Sequence, residues 1–304
     1  MKHRPLTSRL TALVAAGATT VVLVGCGQAS TDASVSIAAA TTVAAGLTGA
    51  EALADNADPH TDGETSYDDL DLTDATTVQL VDGATTVSDD SAVSVDGDVV
   101  TITAPGTYVL SGMLTDGQVV VDSDADGQVV LVLDGVSLTS SSTSPVVVTQ
   151  ADETVLVLAD GSDNTLSDGT DSGADDDEED APNATVFSQD DLTIAGTGSL
   201  SVTGVSGDAI TSKDGLVVLA GDLTVDATDD GIRGKDYLLV AGGAVDVTAG
   251  GDGLKSDNDT DETMGYVAVT GGDVTVTADG DGVDASRSPP ATTASTGPAT
   301  ARRR

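Results

Sequence analysis

The chain has 304 residues and a formal net charge of −40, with 51 Asp and Glu against 11 Lys and Arg. No Lys or Arg occurs between Arg9 and Lys213, so the basic surface that nucleic acids and anionic lipids require is missing and we expect neither as a direct partner. The only histidines are His3 and His60, which excludes a histidine triad or a histidine-ligated zinc site from the body of the protein.

Residues 1–25 have the features of a secretory signal, with Lys2 and Arg4 before a short apolar stretch that is too short for a transmembrane helix. Residues 23–26, Leu-Val-Gly-Cys, look like a bacterial lipobox, and Cys26 is the only cysteine. We therefore predict a lipid on Cys26; the alternative is an ordinary signal peptide. The protein would be anchored on the extracellular face of the cytoplasmic membrane or at the cell surface. Residues 26–74 are rich in Ala, Thr, Ser and Asp and predict a flexible acidic tether.

Residues 75–285 predict a single β domain. Short apolar segments suit strands, and several lack polar alternation, which indicates strands covered on both faces. They are residues 99–103, 108–110, 119–121, 129–133, 146–148 and 155–158. Residues 162–182 predict an inserted acidic loop, whose run of acids at 175–180 is read as solvated.

An Asp-Gly or Asp-Ala motif then repeats at Asp208, Asp230, Asp252 and Asp281. The first two spacings are 22 residues (230 − 208 and 252 − 230), and the third is 29 because residues 258–264 are inserted. Apolar columns repeat in the same register, for example Ile210, Ile232, Leu254 and Val283. A fixed period with three short alternating segments in each copy predicts a right-handed parallel β-helix of roughly nine coils. A β-sandwich is the less favoured alternative.

Residues 286–304 break the pattern in mid-coil with Ser-Arg-Ser-Pro-Pro and end in three arginines. A β-helix ending here would leave bare strand edges. We expect an aberrant tail that results from a frameshift or truncation, or else a natural disordered tail.

The repeated aspartates form the most informative candidate site. Stacked about 4.8 Å apart, two carboxylates repel by about 3.5 kcal/mol at an effective dielectric near 20. Either nearby lysines and arginines or Ca²⁺ can compensate, since carboxylates without Cys or His suit a hard cation. The predicted calcium ligands are Asp208, Asp229, Asp230, Asp252, Asp257 and Asp281. The alternative is that each Asp-Gly only makes a turn, with its carboxylate bonded to local backbone.

Four residues are candidates for binding a ligand. Tyr237 and Tyr266 occupy one column and could form a stacking platform or simply pack together, and Arg233 and Lys255 follow the aspartates. No catalytic residue is expected in a binding protein. If the protein were a lyase, Lys255 or Lys235 would be the base, although pairing with the aspartates is the more favoured role.

Several segments resemble a family of secreted bacterial β-helix lipoproteins with a carbohydrate-binding domain. They are residues 106–112, 129–136, 190–194, 230–235 and 251–256. The resemblance covers roughly residues 75–285 and implies a pectate-lyase-like β-helix that binds calcium and acidic or cellulosic polysaccharide. The chain departs from the family after Asp284.

Three functions follow as hypotheses. The first is a lipid-anchored, monomeric, non-catalytic protein that binds polysaccharide with the help of Ca²⁺. The second is a Ca²⁺-dependent polysaccharide lyase, and the third is a structural or adhesive stalk.

Overall fold

The computed structural model describes residues 53–54, 56–59, 70–170 and 181–286. The predicted signal peptide, Cys26 and residues 287–304 of the tail lie outside these residues. Within them, all regular structure is β, and no helix is long and apolar enough to cross a membrane.

The described part of the chain contains twenty-three strands, which wind around one apolar core. The first seven are β1 (Thr76–Val81), β2 (Thr86–Val87), β3 (Val93–Asp96), β4 (Val99–Ile102), β5 (Gly106–Leu114), β6 (Gln118–Asp122) and β7 (Gln128–Thr139). The next eight are β8 (Val146–Gln150), β9 (Glu153–Leu158), β10 (Asp163–Ser167), β11 (Ala184–Ser188), β12 (Leu192–Gly196), β13 (Ser199–Gly204), β14 (Asp208–Ser212) and β15 (Gly215–Val218). The last eight are β16 (Asp222–Ala227), β17 (Ile232–Gly234), β18 (Tyr237–Val240), β19 (Ala244–Ala249), β20 (Leu254–Ser256), β21 (Tyr266–Val269), β22 (Asp273–Ala278) and β23 (Val283–Ala285).

The strands stack into three walls, and within each wall neighbouring strands are parallel. Wall A contains the first halves of β5 and β7, then β9, β12, β15, β18 and β21. Wall B contains the second halves of β5 and β7, then β10, β13, β16, β19 and β22. Wall C contains β4, β6, β8, β11, β14, β17, β20 and β23. Each turn of the chain passes through walls C, A and B in that order, so the predicted parallel β-helix is confirmed.

The helix has about seven turns, which corrects the predicted nine. The first strands do not form complete turns, because β2 pairs antiparallel with β1 and β3 pairs antiparallel with β4. The 22-residue period also underestimates the length of some turns, since Val119 pairs with Val146 and Val146 pairs with Val186, which are 27 and 40 residues apart in the chain (146 − 119 and 186 − 146).

The predicted columns are confirmed by the strand register. Ile210, Ile232, Leu254 and Val283 pair in sequence along wall C. The glycine column Gly221, Gly243 and Gly272 precedes the wall B strands with φ of +112°, +85° and +81°. A Cβ on Gly243 would lie 2.6 Å from the carbonyl oxygen of Gly221, so this corner requires glycine both for its left-handed backbone and for its close stacking.

The three walls differ in what covers their outer faces. Wall B alternates between buried and exposed residues, as in β16 and β19, so its outer face contacts solvent. In wall A, every residue of β9, β12, β15 and β18 is buried. Of the six segments predicted to be covered on both faces, three lie in wall A (residues 108–110, 129–133 and 155–158) and three lie in wall C (residues 99–103, 119–121 and 146–148).

Candidate functional site

The repeated aspartates lie where the chain enters wall C, and their carboxylates bond to backbone rather than to one another. Oδ1 of Asp208 accepts the N–H of Asp230 at 3.0 Å, and Oδ1 of Asp230 accepts the N–H of Asp252 at 2.8 Å. Oδ1 of Asp252 accepts the N–H of Asp281 at 2.9 Å. We call these four residues the aspartate ladder. The carboxylates of Asp208, Asp230 and Asp252 thus bond the next turn, whereas the turn hypothesis placed this bond on local backbone.

Two cations neutralise the ladder from outside. Lys255 Nζ lies 2.7 Å from Asp230 Oδ2 and 3.0 Å from Asp252 Oδ2. Arg233 binds Asp257 through two nitrogens, at 2.6 and 3.3 Å, and lies 3.7 Å from Asp208 Oδ2. Through these contacts, Lys255 and Arg233 offset the repulsion between the ladder carboxylates, which is one of the two kinds of compensation that the sequence predicts.

Burial, neighbouring charges and hydrogen bonds together set the pKa values of Asp208 and Lys255. Burial of Asp208, followed by the charge of Asp230, raises the pKa of Asp208 to about 6, although Arg233 opposes the shift. Burial alone would lower the pKa of Lys255, but its hydrogen bonds to Asp230 and Asp252 raise that pKa well above its usual value. Lys255 therefore stays charged at neutral pH.

Three of the predicted metal ligands come together. Carboxylate oxygens of Asp208, Asp229 and Asp230 all lie within 4.8 Å of one another. Asn183 Nδ2 donates to Asp208 Oδ2 at 3.1 Å, and its buried Oδ1 makes no hydrogen bond. An acidic group with an unsatisfied amide oxygen nearby fits the all-oxygen preference of Ca²⁺.

The other three predicted ligands are placed elsewhere. Asp252 pairs with Lys255, and Asp257 pairs with Arg233. Asp281 is exposed in the last described turn.

All four lysines and arginines of the described residues gather on wall C, within three successive turns. Ile210, Ile232 and Leu254 point into the core, so the alternate positions point outward. Arg233 and Lys255 are paired across β17 and β20. Lys213 and Lys235 directly follow β14 and β17. We call this surface the basic face.

Lys213 is the member of the basic face whose pKa falls. Burial, followed by the charges of Arg233 and Lys235, lowers it. Its Nζ lies 5.8 Å from the centroid of the Phe187 ring.

A second acidic column, which is not among the predicted site residues, follows the wall C strands. Asp190, Asp214, Asp236 and Asn258 occupy it, each two residues after the serine or glycine that ends its strand. Burial, a hydrogen bond with Asp236 and the charge of Asp191 raise the pKa of Asp214 to about 7. Asn258 Nδ2 donates to Asp236 Oδ1 at 2.5 Å. The signal was visible, because these positions repeat at 24, 22 and 22 residues (214 − 190, 236 − 214 and 258 − 236).

The predicted tyrosine platform is not an exposed one. Tyr237 and Tyr266 do stack, with ring centroids 5.7 Å apart and planes at 20°. They are only 3% and 7% exposed, however, because they belong to an apolar cluster on the outer side of wall A that Leu53 and Met264 pack against. Packing, the alternative interpretation of this column, is what the geometry supports.

Comparison with known proteins identifies a solved structure and a relative to which this chain is similar. A solved structure described as the polysaccharide lyase-like protein from C. thermocellum, a gadolinium derivative, superposes with a TM-score of 0.65 and 32% identity. That match covers 69% of this chain and 94% of the other chain. A carbohydrate-binding domain-containing protein of Acetivibrio thermocellus is 40% identical over 70 residues, which are 23% of this chain. The matched segment spans 24% of that relative's length.

The family model of carbohydrate-binding domain-containing proteins matches residues 96–297, about two thirds of the chain. The matched region includes the ladder, the basic face and nearly all of the seven turns. The chain therefore belongs to the carbohydrate-binding domain-containing protein family.

Proposed function

We propose that the protein binds polysaccharide on the basic face, without catalysis. The observation that carries this proposal is that a chain of net charge −40 places every lysine and arginine of its described residues on one wall. Isolated solubilising charges would be scattered. Four cations within three turns can instead contact successive sugar units of an extended chain, because adjacent turns are about 4.8 Å apart.

Recognition on this face would be polar. The four aromatic residues among those described, Tyr108, Phe187, Tyr237 and Tyr266, are all buried. Arginine and lysine bind the carboxylates of an acidic glycan, and the neighbouring aspartates accept hydrogen bonds from sugar hydroxyls. An acidic or cellulosic glycan is accordingly the proposed ligand class.

Calcium is proposed as an aid to this binding. Asp208, Asp229 and Asp230 are the residues that would hold it, with Asn183 beside them. The similar structure from C. thermocellum is a gadolinium derivative, and gadolinium, like calcium, is a hard cation that suits carboxylate oxygens. Bound Ca²⁺ would supply positive charge that attracts uronate carboxylates to a strongly acidic protein.

Affinity electrophoresis through gels containing polygalacturonate tests the proposal. A Lys213→Gln/Lys235→Gln variant should lose at least about tenfold in affinity, since each lysine would contribute one charge-assisted contact. Asp246→Asn, an exposed change on wall B, is the matched control and should bind as the wild type does. Unchanged binding by the double variant would rule out the basic face. Binding that survives excess EDTA would rule out the calcium contribution, and retention by every glycan alike would favour the stalk hypothesis.

The lyase hypothesis changes in one respect. Lys255 is a poor candidate base, because its raised pKa keeps it protonated. Lys213, with its lowered pKa, is the better candidate. Ultraviolet absorbance of an unsaturated product, abolished by Lys213→Ala, would establish catalysis and overturn the non-catalytic proposal.

Anchoring through a lipid on Cys26 remains part of the proposal, as do an extracytoplasmic location and a monomeric state. Metabolic labelling with a palmitate analogue tests the anchor. The wild-type protein should be labelled and fractionate with membranes, and Cys26→Ser should be neither labelled nor membrane-bound.

A further inference from the structure

The outer side of wall A carries its own apolar layer, separate from the core. One cluster contains Tyr237, Tyr266, Val217, Leu239 and Ala268. These side chains face away from the core, and on a free surface they would form an exposed apolar patch. They are buried because something covers them.

Part of the cover is a segment that the sequence predicted to be flexible tether. The described residues 53–54 and 56–59, which we call the strap, lie against this cluster. Leu53 packs against the tyrosine cluster. The N–H of Ala57 donates to the carbonyl of Thr263 at 3.0 Å, and the Tyr266 hydroxyl donates to the carbonyl of Ala57 at 2.9 Å.

The surface beneath the strap has the composition of a sugar-binding subsite. Two aromatic rings from adjacent turns are stacked nearly parallel. The Tyr237 hydroxyl donates to Asp191 Oδ1 at 3.2 Å, which places a carboxylate at the edge of the rings. The Tyr237 ring lies over Gly215, where a Cβ would come within 2.0 Å of the ring. Aromatic faces bind the apolar face of a pyranose, and carboxylates accept its hydroxyl groups.

The strap is held weakly compared with the wall beneath it. Its residues are half-buried or exposed, and among the described residues its backbone is joined to the wall by two hydrogen bonds, those of Ala57 with Thr263 and Tyr266. The tyrosines, by contrast, sit on strands β18 and β21, which are paired through four residues each. A segment with few contacts opens at a small fraction of the global free energy of unfolding.

We propose that the strap is a displaceable cover over a second polysaccharide subsite, formed by Tyr237, Tyr266 and Asp191. This inference rests on the proposed function, since it assumes a glycan ligand, but it uses a different wall. While the strap is closed, the affinity of the subsite is reduced by the fraction of molecules in which it is open. A glycan chain that engages the rings would displace Leu53 and Ala57.

Two variants test the cover. Leu53→Asp/Ala57→Pro removes the apolar contact and the N–H donor of the strap. Tyr266→Phe is milder, because it removes only the hydroxyl that bonds Ala57 and keeps the ring. Affinity electrophoresis through hydroxyethyl cellulose and polygalacturonate should show about a fivefold to tenfold gain for the double variant and a smaller gain for Tyr266→Phe, as expected from removing one or two hydrogen bonds. Adding Tyr266→Ala to the double variant should abolish the gain.

Strap release is measured independently by ultraviolet titration of tyrosine. Burial, followed by the charge of Asp58, raises the pKa of Tyr266 to about 12, and release should return it towards its ordinary value. A released strap with no gain in affinity would overturn the inference and leave the strap a structural cover. Placing the strap variants in the Lys213→Gln/Lys235→Gln background separates the two proposals. A gain that persists there supports the second subsite even if the basic face fails, and a loss of binding there without any strap effect supports the basic face alone.

Discussion

Substitutions at Asp230 distinguish most sharply between the two proposed roles of the ladder carboxylates, which are to accept backbone hydrogen bonds and to bind calcium. Asp230 is 4% exposed, and both of its carboxylate oxygens are engaged, with Oδ1 on the N–H of Asp252 and Oδ2 on Lys255. Asp230→Ala leaves that N–H without its acceptor, which costs about 1–3 kcal/mol. Loss of the Lys255 pair adds at most about 1 kcal/mol, since Lys255 keeps Asp252, and relief of the repulsion from Asp208 opposes the loss. We therefore expect Asp230→Ala to lower the free energy of unfolding by about 2 kcal/mol.

Asp230→Asn keeps an acceptor oxygen for the N–H of Asp252 and removes only the charge. If the ladder acts chiefly as a backbone acceptor, this change should cost less than about 1 kcal/mol.

Urea unfolding in EDTA, followed by far-ultraviolet circular dichroism, measures both variants. Asp281→Ala is the matched control, because that residue is exposed in the last described turn, and its effect should stay within about 0.5 kcal/mol. Equal losses for the Ala and Asn variants would refute the backbone-acceptor role. Losses that appear only when calcium is present would assign the carboxylate to the metal instead.

Three further predictions concern other parts of the molecule. The folded-state pKa of Asp214, about 7, exceeds the ordinary value of 3.8, so its proton stabilises the folded state at low pH and this stability is lost as pH rises through 7. After discounting for solvent screening, the free energy of unfolding measured in urea should fall by about 0.5–1 kcal/mol between pH 6 and pH 8. Asp214→Asn should remove this fall. An unchanged pH dependence in that variant would show that Asp214 is not its cause. Gly215→Ala should cost about 1–3 kcal/mol because its Cβ would overlap the Tyr237 ring, whereas Gly282→Ala, with nothing within 4 Å, should be nearly neutral; equal melting temperatures would show that the ring can move. Calcium at about a hundredfold excess over its dissociation constant should stabilise the protein by about 2.7 kcal/mol in thermal melts, and Asp229→Asn, an exposed change, should abolish this; a flat titration would remove calcium from the proposed function.

The fold was largely predictable because a solenoid repeats its packing. Each turn contacts mainly its neighbours, so the columns at Ile210, Leu216 and Leu223 appear in the sequence at the same period as they appear in space. The N-terminal end was less predictable. Whether β2 and β3 begin a turn or fold back antiparallel depends on pairings that no repeat encodes.

The site was less predictable than the fold, for two physical reasons. A carboxylate in a stacked column can bond its own turn, the next turn or a metal, and only the coordinates distinguish these partners. Whether the Tyr266 side chain is covered or exposed depends on Ala57, which is 209 residues away in the chain. The period places Tyr237 and Tyr266 side by side, but it carries no information about a segment outside the repeat that covers them.

The aspartate ladder also gives the helix a direction. Asp208, Asp230 and Asp252 each offer Oδ1 to a backbone N–H of the turn that follows in the chain. A turn that has already formed therefore displays a carboxylate, fixed in place, for the next incoming amide. Because folding of a solenoid propagates between neighbouring turns, a chain that is synthesised from its N-terminus can add each turn onto a prepared template. The motif that marks the repeat would then also order its assembly.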